Sequence, residues 1–597
     1  MSRWWAWLGA GAVLAVALGI RAVAAAQVVF PIPEDTAYYA GVARNLVEGR
    51  GLVSDALWSY QTPPLTLPRA AFEVWQPLPS LLAAIPMAIV GAGHWFRAAQ
   101  LVSVAAGSIL AVLAWRTGAD VASELHLPPG RARTLAVGTG LVAAVLAPLV
   151  VYSALPDSTG LFAVLSVAAC LLMTRIAAKL ASPEGGGVPV VQLAALGLLL
   201  GLAALTRSEA AWLGLAWFLL LWKGLPRASA ARTAAPADMA TSTRATGTID
   251  TGAAAVSAAT GSTAAGDGRP HRLASFREPG PRLRAALVPA AVAVLVFAPW
   301  AIRNWLVFGT ALPGQTIGNA LYTTGWDMYA YQDQPSLASY LAQGPVAIAG
   351  QHLAGIVHDL MNVLVIPAFP LGLIGLIALP RVWRLESLRP LVILALLTFG
   401  ITSLAFPVAT ESGTYIHAAG PAFVLLAVGC MAGLDSLVAA VGRVRGWTRP
   451  VAWLGPAFAI ATLLPLTAVS VATVSGEARD VATDYELLPV VMERAGVPLA
   501  DAGPVITNFP VWLAESQRVP ALALPEETPA SVLDLARRFG SHLLLLRTGD
   551  DRAWPAILGT DAEYGRCFQE VPLAGPSVND PRPLSAGRFR VYRIVCP

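Results

Sequence analysis

Long apolar runs separated by short polar segments dominate the chain. Runs of roughly 20 apolar residues cross about 30 Å of hydrocarbon as α-helix, and they predict eleven transmembrane helices. These runs lie at about 4–27, 96–115, 134–153, 158–178, 189–206, 208–223, 285–302, 356–379, 390–407, 415–434 and 451–474. A shorter run from Pro77 to Val90 contains Pro79 and Pro86 and is interpreted as an interfacial or re-entrant helix.

The pattern changes after Ser475. A strand-like pattern of apolar and polar residues occurs in GPVITNFPVWLAE, HLLLLRT and GRFRVYRIV. Between the first two of these stretches, ASVLDLARRFG has apolar residues at helical spacing. We therefore divide the chain into a membrane domain at 1–475, with a first outer loop at 28–95, and a small α/β domain at 476–597. An Ala/Thr/Ser/Gly tract makes 226–282 a predicted disordered cytoplasmic loop.

Composition agrees with this reading. Of 597 residues, 56% are hydrophobic and 13% are charged, whereas a soluble globular protein carries about a quarter charged residues. The net charge of +4 is small, and no basic, aromatic face suggests nucleic acid as a partner. The sequence predicts an α-helical polytopic membrane protein with a small C-terminal α/β domain.

The positive charges predict the orientation. If the N-terminus is cytoplasmic, each inside loop carries arginine or lysine, as the positive-inside rule requires. These residues are Arg3, Arg116, Arg131, Arg133, Arg175, Lys179, Lys223, Arg381, Arg384, Arg389, Arg443, Arg445 and Arg449. Counting Pro77–Val90 as a span would place the later arginines outside. We expect a multi-pass protein of the cell membrane with an extracytoplasmic C-terminal domain.

Two adjacent acids, Glu34 and Asp35, follow the first apolar run. Burying both at a helix centre would cost roughly 5–7 kcal/mol, so we place them at the outer interface. One interpretation is that Asp35 caps the helix that follows by accepting from the N–H of Ala37 or Tyr38. The loop after this helix carries Asp55, Trp58, Tyr60, Glu73, Trp75 and Gln76. A long, aromatic loop of this kind is more typical of a binding site than of a connector.

The order of several motifs resembles a known superfamily. EDTAYYAxxARNLxxGRG, WQPL, xRAAQLxSxxxG, SALPD and GLAALTRSE follow one another over residues 1 to about 310. This series resembles the GT-C glycosyltransferases, in the bacterial branch near protein O-mannosyltransferases and the lipid A aminoarabinose transferase. The resemblance implies a GT-C-like membrane domain that receives its sugar from a polyprenyl phosphate. The chain departs from the family at Gln76-Pro77, where two prolines are frequent, and it lacks the acceptor motif of oligosaccharyltransferases.

The resemblance also implies site residues. It favours Asp35 over Glu34 as the acid that activates the acceptor, and it matches Asp157 to a second family acid. It matches Arg207 and Arg97 to recurrent arginines. Independently of the family, Arg207, Arg303 and Arg97 suit bidentate binding of a donor phosphate, with membrane anchoring as the alternative for each.

Other outer residues are weaker candidates for substrate binding. Glu411 and His417 share a short outer loop, while Tyr38 and Tyr39 are interface aromatics that suit sugar stacking. We assign no metal ligands, although Glu411 and His417 with Asp35 or Asp157 leave a divalent cation open as a cofactor.

Four cysteines occur in the chain, and Cys567 and Cys596 are the two in the predicted outer domain. A disulfide is permitted on that side of the membrane, but spacing alone does not establish it.

These observations predict an inverting membrane glycosyltransferase. It would move a hexosyl or pentosyl group from a polyprenyl-phosphate donor to a protein, lipid or glycan acceptor outside the cytoplasmic membrane. Asp35 would act as base or orient the acceptor, Asp157 would assist, and Glu34 would contact substrate. A transporter or lipid flippase, and a noncatalytic scaffold of the cell envelope, remain the alternative classes.

Overall fold

The structure is a computed structural model and describes residues 3–182, 187–222, 280–312, 316–447, 451–549, 554, 565–573 and 588–596. Residues 226–279 of the predicted cytoplasmic loop lie outside these ranges, so its predicted disorder stays a prediction.

Helices make up most of the described chain. The first ten are α1 (Arg3–Gln27), α2 (Glu34–Val47), α3 (Leu78–Val90), α4 (Trp95–Glu124), α5 (Pro129–Val145), α6 (Ala147–Val151), α7 (Ser158–Ala181), α8 (Val190–Ala204), α9 (Ala210–Trp222) and α10 (Pro281–Phe308). The others are α11 (Thr316–Asn319), α12 (Leu337–Ala342), α13 (Pro345–Val357), α14 (Leu371–Ala378), α15 (Arg389–Ala405), α16 (Pro407–Glu411), α17 (Thr414–Ala418), α18 (Gly420–Val444), α19 (Leu454–Arg494), α20 (Pro510–Gln517) and α21 (Pro529–Phe539).

Six described helices are long and apolar enough to cross a membrane: α1, α4, α7, α10, α18 and α19. A seventh span results if Pro345–Ala368 and Leu371–Arg381, which are bent by 116° at their junction, count as one. The other predicted runs form shorter or interrupted helices. In the third run, for example, Leu146 is extended between α5 and α6. The helical membrane architecture is confirmed, and the count of eleven spans stays a prediction.

The first outer loop is ordered by helices at both ends. Helix α2 carries the acidic pair in its first turn, and all residues from Thr36 to Asn45 are buried. Helix α3, which has 13 residues, covers the predicted interfacial run. At 1.5 Å per residue it is about 20 Å long, too short for about 30 Å of hydrocarbon.

The loop also contributes a strand to the sheet of the C-terminal part. The strands are β1 (Val53–Ser54), β2 (Ala56–Leu57), β3 (Arg69–Ala70), β4 (Val505–Thr507), β5 (Ala521–Ala523), β6 (Leu543–Arg547), β7 (Phe568–Val571) and β8 (Phe589–Ile594). The six-stranded sheet has the order β2-β5-β4-β6-β8-β7, and β2 pairs in parallel with β5. A sequence division at 475/476 would also fall inside α19, which runs unbroken from Leu454 to Arg494. The two proposed domains are therefore joined by both a shared sheet and a shared helix.

Cys567 and Cys596 form a disulfide with a Cα–Cα distance of 4.9 Å. It joins the start of β7 to the residues that follow β8, at the sheet edge farthest from β2. Cys170 and Cys430 are buried free thiols within α7 and α18.

Small residues allow the membrane helices to approach closely, as is common where lipid supplies no hydrophobic drive between helices. A Cβ on Gly197 of α8 would lie 2.5 Å from the Pro289 carbonyl oxygen and 2.7 Å from Val292 Cβ on α10. The pairing of α8 with α10 therefore depends on the absence of a side chain there.

We predict that Gly197→Leu separates α8 from α10 and lowers stability, by about 1–3 kcal/mol, the range for overpacked cores. Thermal unfolding in detergent measures the change. Gly214→Leu on α9 is the matched control, because a Cβ at Gly214 has no neighbour within 4 Å among the described residues. Equal melting temperatures for the two variants would contradict this packing.

Candidate active site

Asp35, Asp157 and His417 meet at one point. Nε2 of His417 lies 3.4 Å from Oδ2 of Asp35, and its Nδ1 lies 3.3 Å from Oδ1 of Asp157. The three side chains are largely or fully buried, with exposed fractions of 12% for Asp35, 0% for Asp157 and 11% for His417. One imidazole thus bridges two carboxylates in a site that excludes most water.

Asp35 reaches this point from the first turn of α2. The helix begins after Pro33, and no side chain caps it. Oδ1 of Asp35 accepts from the N–H of Thr36 at 2.8 Å, not from Ala37 or Tyr38. The capping interpretation of Asp35 is therefore wrong.

Asp157 is the N-cap of α7, where its Oδ1 accepts from the Thr159 backbone N–H at 2.6 Å and also from the Thr159 hydroxyl. His417 comes from α17, a helix of five residues between α16 and α18. Its ring packs edge-on against Tyr152, with centroids 5.1 Å apart.

Thr159 determines which nitrogen of His417 carries hydrogen. Its hydroxyl donates its one proton to Asp157, so it accepts at its 2.9 Å contact with Nδ1 of His417. Nδ1 is therefore protonated, and Nε2 faces Asp35. A proton or a cation between Nε2 and Asp35 completes the arrangement.

The two carboxylates have different electrostatic environments. Burial raises the pKa of Asp35 to about 6, although His417 and Arg207 act in the opposite direction. Burial also raises the pKa of Asp157, but His417 and Thr159 outweigh it and bring the value to about 2. Asp157 is thus the permanent anion, and Asp35 is the more basic of the two groups.

Arg207 lies beside the cluster and is held by Glu209 of its own turn, by Ser158 of α7 and by Thr414 of α17. Its Nη2 and Nε donate to Oε1 of Glu209 at 2.6 and 3.2 Å, and its Nη1 donates to Ser158 Oγ at 3.0 Å. Nη2 also approaches the carbonyl oxygen of Thr414 at 3.5 Å. Glu209 holds the Nε and Nη2 edge of the guanidinium, and Nη1 therefore points to the start of α7.

The two tyrosines of α2 face different surroundings. Tyr39 lies close enough to Arg207, Asp157 and Asp35 for its hydroxyl to feel their charges. The hydroxyl of Tyr38 instead accepts from the Phe72 N–H at 2.7 Å, within the aromatic packing of the first loop. Tyr39 is therefore the tyrosine that borders the cluster.

Arg97 and Arg303 are engaged elsewhere. Arg97 donates to the carbonyl oxygens of Ala25, Ala26 and Val28 at 2.5, 3.1 and 3.0 Å. Gln100 donates to those of Ala25 and Val28 as well, so both side chains serve carbonyl groups at the end of α1. The guanidinium of Arg303 lies 4.8 Å from the ring centre of Trp300. Phosphate binding by these two arginines stays a prediction.

Glu34 and Glu411 also lie apart from the three-residue cluster. Oε1 of Glu34 accepts from the N–H of Val511 at 2.8 Å and of Trp512 at 3.4 Å, at the first turn of α20. Glu411 is exposed at the end of α16. Their predicted substrate contacts have no support in these positions and stay predictions.

Sequence reasoning did not identify Glu209, Thr159, Ser158 or Tyr152 as parts of the site. Two signals were present: Glu209 lies in the LTRSE motif beside Arg207, and Thr159 is two residues after an acid that starts a helix. The pairing of Tyr152 with His417 has no sequence signal, since it depends on how α17 packs.

Asp35, Asp157 and His417 also fit a divalent cation. Their ligand atoms all lie within 4.8 Å of one another. Oδ2 of Asp157 is buried and has no hydrogen-bond partner among the described residues, as expected of an atom that a cation would contact. Two carboxylate oxygens and one imidazole nitrogen suit Zn²⁺ or Mn²⁺. The open prediction of a divalent metal thus gains a possible ligand set, without Glu411.

No protein-family model matches the sequence, and no curated protein matches it as a relative. Several solved structures are similar in fold. The apo oligosaccharyltransferase of Archaeoglobus fulgidus has a TM-score of 0.51 at 12% identity, covering 92% of this chain and 70% of that one. The same enzyme in complex with Zn and sulfate gives 0.51 at 14% identity, covering 94% and 71%. ArnT from Cupriavidus metallidurans bound to undecaprenyl phosphate gives 0.45 at 15% identity, covering 99% and 98%.

The two matches with a TM-score of 0.51 agree, at the level of the fold alone, with the resemblance to GT-C glycosyltransferases. At such low identity they do not transfer a substrate or a residue's role, because one fold hosts many chemistries.

We predict that the purified protein binds Mn²⁺ and that His417→Ala weakens this binding at least about tenfold, as loss of a ligand or its support does. Electron paramagnetic resonance of free Mn²⁺ measures the affinity. His352→Ala is the matched control, because His352 contacts Tyr340 outside the cluster. Unchanged affinity in His417→Ala, or an equal loss in both variants, would rule out this metal site.

Proposed function

We propose that the protein is a membrane glycosyltransferase that moves a sugar from a polyprenyl-phosphate donor to an acceptor hydroxyl. The cluster of Asp35, His417 and Asp157 beside Arg207 carries this proposal. It brings a basic carboxylate and a phosphate-binding cation together in a chain with the fold of a membrane oligosaccharyltransferase.

Asp35 acts as the base or orients the acceptor. The acceptor O–H gives its proton to the Asp35 carboxylate while its oxygen attacks the anomeric carbon. The bond from that carbon to the phosphate oxygen breaks, and the phosphate leaves with the electron pair, which inverts the anomeric configuration. A pKa raised to about 6 keeps Asp35 ionised at neutral pH yet more basic than an ordinary aspartate.

Asp157 and His417 hold Asp35 in place. Asp157 stays ionised and fixes the Nδ1–H of His417, so that Nε2 keeps its orientation towards Asp35. A divalent cation bound by the three residues would supply positive charge to the acceptor or the leaving phosphate. The Zn and sulfate complex of the archaeal enzyme supports testing a metal in this chain.

Arg207 is the arginine that best suits the donor phosphate. It is adjacent to the cluster, whereas the donors of Arg97 are taken by carbonyl oxygens. Glu209 offsets the cost of burying its charge. Nη1 donates one N–H to Ser158, and its second N–H is the donor proposed to contact a phosphate oxygen.

We place the reaction on the outer side of the cell membrane, with the N-terminus cytoplasmic. The arginine-rich loops support this orientation. The disulfide between Cys567 and Cys596 supports it too, since disulfides persist outside the cytoplasm.

A transporter is less well supported. Alternating access by inverted repeats uses broken helices at matching positions in two halves of the chain. Within the described ranges one bent span pair occurs, at Pro345–Ala368 and Leu371–Arg381.

We predict that Asp35→Asn lowers the transfer rate at least about 100-fold, the lower range for losing a general base. Purified protein in lipid is incubated with a panel of polyprenyl-phosphate sugars, and consumption of donor is measured. Asp120→Asn is the control, because Asp120 pairs with Arg116 on the exposed face of α4. Full activity of a folded Asp35→Asn protein would refute the assignment.

A further inference from the structure

Helix α2, which carries Asp35, is held at both ends by helix α20 of the C-terminal sheet region. At its start, Glu34 accepts from backbone N–H groups of α20, and the indole Nε1 of Trp512 donates to the Pro31 carbonyl oxygen at 3.0 Å. Near its end, Nη2 of Arg44 donates to the Glu515 carboxylate at 2.7 Å and to the Glu515 carbonyl oxygen at 2.9 Å.

The contact with Glu515 is unusually close. A Cβ on Gly41 would lie 1.9 Å from Cδ of Glu515. The carboxylate therefore occupies the space that any larger residue at position 41 would fill. Side-chain exposure is 9% for Arg44 and 2% for Glu515, so the pair is buried.

The contacts of this pair, which include the Arg44 guanidinium 4.5 Å from the ring centre of Trp95, leave two of its polar atoms without a partner. Nε of Arg44 and Oε1 of Glu515 are buried and have no hydrogen-bond partner among the described residues. Burial raises the pKa of Glu515 to about 7 and lowers the pKa of Arg44, so each group is pushed towards its neutral form. Buried ion pairs are often no more stable than neutral replacements of the same shape.

We propose that Glu515 is a positioning residue for Asp35. Glu515 lies in the C-terminal region and binds Arg44 of α2. This contact sets the position of helix α2 and so the distance of Asp35, in its first turn, from Asp157 and His417. This inference rests on the proposed function of the same site. Arg44 follows Asp35 by about 13 Å along a continuous helix, so a shift at Glu515 moves Asp35 as well. Displacements of about 1 Å at a reacting group can lower rates about 100-fold.

The ion pair depends on pH. The charged groups that influence Glu515 are those of Arg44, Asp55 and Arg518, with Arg50 of the first loop also coupled to it. Above about pH 7 Glu515 is ionised and pairs with Arg44. Below that it is protonated and resembles glutamine.

The test compares the parent protein with Glu515→Gln at pH 8.5 and pH 5.5 in the donor-consumption assay. We expect kcat of the variant to be about tenfold lower at pH 8.5 and within about twofold at pH 5.5, with KM for the donor unchanged. Dividing kcat of the variant by kcat of the parent protein at each pH cancels the effect of other groups that titrate equally in both. Gly41→Ala, which displaces the carboxylate, is expected to lower kcat at both values.

Thermal unfolding separates position from stability. The folded state binds an extra proton between pH 4.5 and about 7, so Glu515 contributes less stability as pH rises through that window. Glu515→Gln is therefore expected to melt at the parent temperature or above it at pH 8.5. Glu570→Gln, which removes the exposed pair with Arg590 on the sheet, is the control with unchanged kcat.

A ratio that does not depend on pH would overturn the inference, and so would full activity in Gly41→Ala. If Asp35→Asn is inactive and the kcat ratio of Glu515→Gln to the parent is the same at both pH values, the role of Glu515 is refuted and the proposed function stands. If Asp35→Asn is fully active, the proposed function fails first.

Discussion

Two carboxylates buried against one imidazole impose the main constraint on this structure. Asp35 and Asp157 both approach His417, and two uncompensated negative charges in such a site would be expensive. The hydroxyl and N–H of Thr159 and the nearby guanidinium of Arg207 reduce that cost. The remaining imbalance favours a proton or a cation next to Asp35. Burial raises the pKa of Asp35 to about 6, a value that suits the base proposed for the acceptor hydroxyl.

That constraint explains why distant parts of the chain are interlocked. Asp157 depends on the start of α7, His417 on the short helix α17, and Asp35 on α2. Helix α2 in turn packs on α20, and strand β2 of the same loop belongs to the C-terminal sheet. The C-terminal region is therefore part of the structure that holds the site, rather than an appended module.

The sequence was sufficient for the helical membrane fold because apolar runs of membrane length have few other solutions. It could not show that β2 joins the distant sheet, since two residues carry no periodicity. The local sequence does not distinguish Glu34 from Asp35 as the acid that activates the acceptor. The resemblance to the family favours Asp35. In the structure Asp35 lies in the cluster, whereas the Glu34 carboxylate accepts from a backbone N–H of α20. The sequence could not pair His417 with Asp157, because the two residues are 260 positions apart. The local sequence could not show that Arg97 donates to carbonyl groups at the end of α1, because that contact joins residues about 70 positions apart.

The most direct test of the account is a structure of the protein with a non-transferable polyprenyl-phosphate sugar analogue bound. We expect the phosphate beside Arg207 and the anomeric carbon facing Asp35 and His417, with room for an acceptor oxygen about 3–3.5 Å from that carbon. A donor bound away from this cluster, or an open path across the membrane through it, would contradict the assignment.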